Sequence, residues 1–464
     1  MDNSIPTQHR FPASAGLTVR AAFDGGAMSS DFGARRRRGA DLPIGLIPRL
    51  VSAIHDKRHA SYIDHSLADL LRQRIFQTAS GYADGNDANT LRRDPMFKRA
   101  VGRAPLDEGN DLASGPTLSR LENSVSKKDI YRLGKCFVEA FIARYAKAPA
   151  AIVLDMDHSE DITHGQQERA FYHHHYGHHC DLPLFLFEGL SGKFITSVLR
   201  PGKRPTGQEN AAIIKRVLRL LRQAWPETPL ILRGDGHFSN PEWMALCESD
   251  AHLDFLFGLA GNKGISPKAK PLLEQARALH QRRCIDARRL GRPEPAATRL
   301  YDDVAYQAGS WPKAYRVVVK AEVMALGDNP RYVVTSLTDP TPDLLYKELY
   351  CARGQDENFI KAVKNDLASD RTSDHAFLAN HLRLFYACAG YVLIHSLREN
   401  TRAHTEQAKA QPMSIILKLF KRAVRVVQYK DRIKLSLPSS CPMKAVLAHV
   451  TEWLYLVPRP PAPA

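Results

Sequence analysis

Ala150-Ala-Ile-Val-Leu-Asp-Met-Asp157 is an apolar run that ends on two aspartates, Asp155 and Asp157. A short apolar run bounded by turn residues reads as a buried strand, and polar groups at its carboxyl end sit at a sheet rim where a ligand can reach them. Pro229-Leu-Ile-Leu-Arg233 has the same character and delivers Asp235. Turn chemistry follows both: His158-Ser159 comes after the first run, and Gly234 and Gly236 flank Asp235, allowing close backbone approach. An aspartate at a strand end more often makes an Asx-turn or a helix cap than holds a metal, so each one alone is a weak signal.

The pattern between these runs predicts strand, hairpin, helix, strand. Residues 182–188 and 193–199 are apolar-rich and joined around Ser191-Gly192, a reasonable hairpin turn. Residues 211–225 have helical spacing, with Ile213, Ile214, Val217, Leu218, Leu220 and Leu221 apolar, and 254–260 read as another short strand. A three-stranded meander, a crossover helix and a fourth strand make an open α/β sheet. With its first and fourth strands adjacent, Asp157 and Asp235 become neighbours.

Downstream, Tyr350, Arg353, Glu357 and Lys364 fall on what periodicity predicts to be one stripe of one helix. At roughly 100° per residue their directions span an arc of about 60°. Ala352, Phe359, Ile360, Val363 and Leu367 point elsewhere and give that helix a buried face. The bland reading is a solvated face with an Arg353/Glu357 pair at i,i+4 spacing. A carboxylate beside fixed cations and a phenol also suits a metal held against a phosphate backbone, and Glu357 would complete a cluster with the two aspartates.

This arrangement resembles the DDE transposases of bacterial insertion sequences. The tyrosine, arginine, glutamate and lysine, separated by two, three and six residues, match the signature of one large group of these enzymes without a gap. Similarity continues in Asp157 with Ser159, in Thr163-His164-Gly165, in the run from Arg233 to Phe238, and in the apolar stretch 375–400. The family's first acidic position usually reads aspartate, any residue, threonine. Here serine stands in the third place, so Asp155 stays an alternative to Asp157.

The resemblance implies a ribonuclease H-like catalytic core interrupted by a β-rich insertion, flanked by a mainly helical N-terminal DNA-binding region and a helical C-terminal segment. The expected boundaries are 1–148, with a leader disordered to about 40, then 149–261, 262–342, 343–410 and 411–464. It implies that Asp157, Asp235 and Glu357 hold two Mg2+ ions, with Mn2+ as a substitute, because all-oxygen carboxylate sites suit hard cations. The expected reaction is cleavage of transposon ends and transfer of the freed 3′-hydroxyl to target DNA. The implied partners are double-stranded DNA and further copies of the chain in a synaptic dimer or larger assembly. Tyr350, Arg353 and Lys364 would contact the DNA backbone, and Trp311, just before an expected strand at 315–320, would stack on a flipped base. A second expected strand lies at 332–336. A nuclease of the same fold without strand transfer, and a non-catalytic DNA-binding descendant, are the alternatives.

Composition agrees with a polyanionic partner. The 464 residues carry 65 Lys plus Arg against 49 Asp plus Glu, a net charge of +16. Such a charge speeds encounters with DNA and makes binding salt-dependent, without supplying sequence specificity. No apolar stretch reads as a membrane span and no signal-peptide pattern opens the chain, so the expected location is the bacterial cytoplasm at the nucleoid. Seven scattered cysteines without a CxxC pair fit reduced thiols. Arg35, Arg36, Arg37 and Arg38 form a basic block that could anchor phosphates. Helical patterns at 42–55, 65–79 and 129–145 are candidates for reading the terminal repeat. Between Tyr172 and Cys180, five histidines at 173, 174, 175, 178 and 179 invite a zinc reading, but they lack the paired spacing of structural zinc sites. Contact with DNA or a loop near the metal site fits them better. A basic helix is expected at 415–427, before a Pro/Ala tail.

Overall fold

The computed structural model describes residues 8–401 and 410–456. The protein is mixed α/β, with one large mixed sheet. It divides into two compact units: Met1–Ile130 with Ala362–Arg371 and Leu378–Ala464, and Tyr131–Lys361 with Thr372–Phe377.

The second unit is built on a nine-stranded sheet. Its main strands are β1 (Ile152–His158), β2 (Leu184–Glu188), β3 (Phe194–Val198), β4 (Leu230–Gly234), β5 (Leu253–Leu259), β6 (Ala297–Tyr306), β7 (Tyr315–Met324) and β8 (Arg331–Thr335). Across the sheet they run β6-β7-β8-β5-β4-β1-β2-β3. Strand β4 lies parallel to both β1 and β5. The other pairings between these strands are antiparallel.

Helices cover the central strands, which is why β1, β2 and β4 read as nearly continuous apolar runs. Helix α1 (Gly207–Ala224) makes the crossover to β4. Its start is fixed by a capping box in which the Thr206 hydroxyl accepts from the Glu209 amide at 3.2 Å, and the Glu209 carboxylate accepts from the Thr206 amide at 2.9 Å. Its inner residues Ile214, Val217, Leu218 and Leu221 pack into the same core as Ile152, Leu154 and Leu232.

The stretch 262–342, the expected β-rich insertion, carries strands at both expected places, β7 and β8. It opens with helix α2 (Ser266–Arg289), and its strands β6, β7 and β8 extend the main sheet through the β5–β8 pairing. That pairing satisfies the backbone groups β5 would otherwise leave open at an edge. The segment around Glu357 departs from one regular helix. A π turn at Leu345–Tyr350 and a 3-10 turn at Cys351–Arg353 precede helix α3 (Gly354–Lys361), and the π turn Ala362–Asp366 follows in the first unit. Each turn type changes the angular step, so a four-residue stripe built on a constant 100° does not hold.

The first unit is mainly helical, with helices at Ala34–Ile44, Leu46–Ala53, Leu67–Thr78 and Phe377–Thr401 among others, and a small sheet that joins Met28–Ser29 to Val424–Gln428 and Ile433–Ser436. Gly45, at φ 63°, turns the chain from the first of these helices into the second. Residues 9–21, expected to be a disordered leader, form a hairpin of His9–Ser14 with Leu17–Ala21, while residues 1–7 lie outside the described residues.

Among its described side chains, the basic block is engaged within the protein. It lies in the helix Ala34–Ile44, where buried Arg36 donates to the Leu447 carbonyl at 2.9 Å and to the Thr451 hydroxyl at 2.7 Å. Buried Arg37 stacks over Phe420 at 4.3 Å, and Arg38 donates to the Ala100 carbonyl at 3.5 Å. The Arg35 side chain lies outside the described residues. Guanidinium groups spread on aromatic rings and carbonyls can be packed inside, which a charge count does not reveal.

The expected helix at 415–427 is a short helix and π turn ending at Phe420, followed by the strand Val424–Gln428, whose β-branched residues suit a pleated surface. The tail, 457–464, lies outside the described residues. Among the described residues one helix, Phe377–Asn400, is long and apolar enough to cross a membrane, contrary to the sequence reading, and 89% of its apolar window is buried inside the protein.

Candidate active site

The register between β1 and β4 decides which aspartates meet. Arg233 stands opposite Asp155 and Gly234 opposite Met156, so one further step sets Asp235 against Asp157 at the rim. The inner rung is closed. Arg233 donates to Asp155 through Nε at 2.5 Å and Nη2 at 2.6 Å, and its Nη1 reaches the Leu349 carbonyl. The Asp155 side chain is 0% exposed. A Cβ on Gly189 would come within 2.5 Å of the Arg233 Nη2, so glycine is what lets the chain pass over this pair. Asp155 is therefore a strand-to-strand tie, and Asp157 is the aspartate that reaches the rim.

The outer rung is open and polar. Asp157 is 21% exposed, and its Oδ2 accepts from Arg353 Nη1 at 3.0 Å while Oδ1 accepts from the His158 amide at 2.9 Å. Burial, with the Asp235 charge adding, pushes its pKa up to about 6, against the opposing charge of Arg353. Asp235 caps the short turn Gly236–Phe238, accepting from the His237 amide at 2.9 Å and from His237 Nδ1 at 2.8 Å. Burial works against its ionisation, but the His237 contacts and the Arg353 charge win, and its pKa falls below the usual range. The hydrogen bond to Asp235 in turn raises His237.

Arg353 ties this rung to Glu357, its Nη2 lying 3.9 Å from the glutamate. Glu357 is 54% exposed and also lies 4.0 Å from Lys361. The Tyr350 hydroxyl rests over Gly258, within 2.5 Å of where a Cβ would stand. Lys364 falls in the turn Ala362–Asp366, which belongs to the first unit. Trp311 does not present a face to a base: it is 5% exposed and packed edge-on between Tyr306 at 5.4 Å and Tyr315 at 5.7 Å.

The expected trio of carboxylates does not close. Among the described residues no three His, Cys, Asp or Glu side chains are grouped so as to hold one ion. Asp157 and Asp235 stand together, and Arg353 occupies the space that separates Asp157 from Glu357. Like charges repel, and an inserted guanidinium is how a protein neutralises them. The donor chemistry fits a hard divalent cation at Asp157 and Asp235, while Glu357 would have to swing past Arg353 to join.

A fourth carboxylate was not foreseen. Asp356 is buried, both of its oxygens are without a hydrogen-bond partner among the described residues, and burial plus the charges of Asp155 and Asp157 drive its pKa well above the usual range. It shares the buried face of α3 with Ile360, four residues on. That i,i+4 relation to an apolar residue was the signal in the sequence, masked by the more conspicuous Glu357 beside it.

The family model described as transposase DDE domain group 1 matches residues 11–458. The chain belongs to that family. Membership covers both units. No curated protein matches the chain. Among solved structures, the cryo-EM structure of a piggyBac transposase synaptic complex with hairpin DNA is similar at a TM-score of 0.42 and 12% identity, over 92% of this chain and 87% of that one. A likeness at that level does not bear on individual residues.

Proposed function

We propose that this transposase binds the terminal inverted repeats of an insertion sequence, cleaves the ends and joins the 3′-hydroxyl to target DNA by cut-and-paste. The observation that carries the reading is the outer rung, where register-locked parallel strands bring Asp157 and Asp235 side by side and Arg353 links them to Glu357. The order β3-β2-β1-β4-β5, with β1, β4 and β5 parallel, supports a ribonuclease H-like core.

Asp157 and Asp235 would hold Mg2+ ions, or Mn2+ in their place, with Glu357 as a further ligand. Bound there, the ions supply an activated water or 3′-hydroxyl and a counter-charge for the leaving oxygen. Arg353 is placed to exchange its carboxylate partners for a phosphate oxygen, since a guanidinium suits both. His237 holds Asp235 in one orientation through two hydrogen bonds to its two oxygens. Helices of the first unit would read the repeats, copies of the chain would pair the ends, and the setting would be the bacterial cytoplasm.

Incubation of the full chain with the ends of its own element, a target plasmid and Mg2+, followed by mapping of cut and joined strands, tests this. Cut 3′ ends that become joined to target are the expected products. Cutting without joining, also from pre-cut ends, would leave only a nuclease, and no cutting would remove the reading.

A further inference from the structure

A cavity of about 450 Å³ opens in the first unit. Its walls come from residues 78–87, from residues 365–371 and from Met413, all of which belong to that unit. A space of this size falls in the range of small-molecule sites.

The first wall is the turn that follows the helix Leu67–Thr78. Gly81, at φ 84°, reverses the chain there, and its amide donates to the Thr78 carbonyl at 2.9 Å. Arg74 holds the loop beyond it, donating to the Ala83 carbonyl at 2.6 Å and to the Tyr82 carbonyl at 3.4 Å. The loop carbonyls are thereby satisfied, and the loop is fixed with Asp84 and Asp87 lining the cavity. The second wall is the end of the π turn Ala362–Asp366 and the chain after it. Asp366 accepts from the Met413 amide at 3.1 Å, which ties this wall to the third.

Three aspartates line the cavity against one arginine, in a chain whose net charge is +16. Arg371 pairs with Asp84, Nη1 to Oδ2 at 3.4 Å. Among the described residues Asp87 has no side-chain partner, and Asp366 has only the Met413 amide. Thr78 adds an independent sign of a ligand. It lines the cavity, is 4% exposed, and its hydroxyl has no hydrogen-bond partner among the described residues. A buried hydroxyl left unpaired is unfavourable, and a donor brought by a ligand would relieve it.

A metal ion does not match these walls, because it needs several oxygens converging at coordination distance. Among the described residues no three His, Cys, Asp or Glu side chains are grouped in that way. Tyr82, Leu367 and Met413 add apolar surface to the lining. Acids on different walls with apolar surface in the same space suit a ligand with separated positive ends joined by methylenes, each end making charge-assisted hydrogen bonds.

We propose that this cavity binds an aliphatic diammonium ion, a short linear polyamine. Asp87 and Asp366 take its ammonium groups, the Thr78 hydroxyl accepts from one of them, and the methylenes lie against Tyr82, Leu367 and Met413. Occupancy clips the loop after the helix Leu67–Thr78 to the π turn Ala362–Asp366 and requires no cutting step.

The test is calorimetric titration of the full chain, free of DNA because DNA itself takes up polyamines, with melting temperatures read alongside. Putrescine and spermidine should bind at a single site and raise the melting temperature, whereas butylamine, with one ammonium, should bind roughly tenfold more weakly. Asp366→Asn and Asp87→Asn should each weaken putrescine by roughly tenfold or more; the second leaves the Met413 contact untouched. Thr78→Val should weaken putrescine while leaving the ligand-free melting temperature unchanged or higher, where a structural hydroxyl would lower it. No heat with either polyamine, an equal rise in melting temperature with butylamine or with MgCl2 at matched ionic strength, or variants that bind as wild type does, would overturn the site. None of these outcomes touches the transposase reading, which the cutting and joining assay tests by itself.

Discussion

Two rungs of the same pair of strands, with the Met156/Gly234 pair between them, carry the same acidic residue on β1 and have opposite fates. On the inner rung Asp155 meets Arg233 in a dry, bidentate ion pair. On the outer rung Asp157 meets Asp235, another acid, and borrows its counter-charge from Arg353 on a distant segment. A charge paired by its own neighbour and sealed from water is structural, whereas a pair of like charges held at a rim by a removable partner is poised to take up a cation.

The largest effect should come from breaking the inner rung. Asp155→Ala leaves Arg233 buried without its partner and should cost about 3–5 kcal/mol in urea unfolding. A loss below about 1 kcal/mol would show that the inner rung is not the sealed pair described.

Next is Asp356, whose carboxylate has no hydrogen-bond partner. Asp356→Leu, which removes the unpaired polar atoms, should gain about 1–3 kcal/mol at neutral pH. A carboxyl whose folded pKa is raised favours the fold while protonated, and this contribution is lost as pH rises from the unfolded pKa through the folded one. Wild-type stability should therefore fall over that range more than that of the variant, and equal slopes would contradict the burial of a lone carboxyl.

The same sign applies to Asp157, with its window fixed by a pKa raised from 3.8 to about 6. Its contribution is complete below the lower value and gone above the upper one. Melting temperatures of Asp157→Asn should vary less between pH 4 and pH 7 than those of wild type. Smallest is Glu357→Gln, which removes only loose, exposed pairs and should shift stability by no more than about 0.5 kcal/mol while abolishing cleavage.

Much of this contrast was legible in the sequence. Apolar runs located β1 and β4, and their parallel pairing followed from the crossover helix between them. Register was not legible, so Asp155 and Asp157 could not be told apart until Arg233 was seen opposite the first. The π and 3-10 turns before α3 break the period on which the Tyr350-to-Lys364 stripe was drawn, and they turn Asp356 inward. Strand β8 joins β5 across some 80 residues of chain, as the pairing of Thr335 with Leu256 shows, and local pattern does not report such non-local pairing. Arg36 and Arg37 read as part of a phosphate-anchoring block because composition counts charge and not the ring or carbonyl that receives it.

The most direct measurement is single-turnover cleavage of end DNA in Mg2+ by Asp157→Asn, with its melting temperature measured alongside. The outer-rung account predicts a protein at least as stable as wild type that makes no detectable cut. A folded Asp157→Asn protein that cuts at the wild-type rate would contradict it.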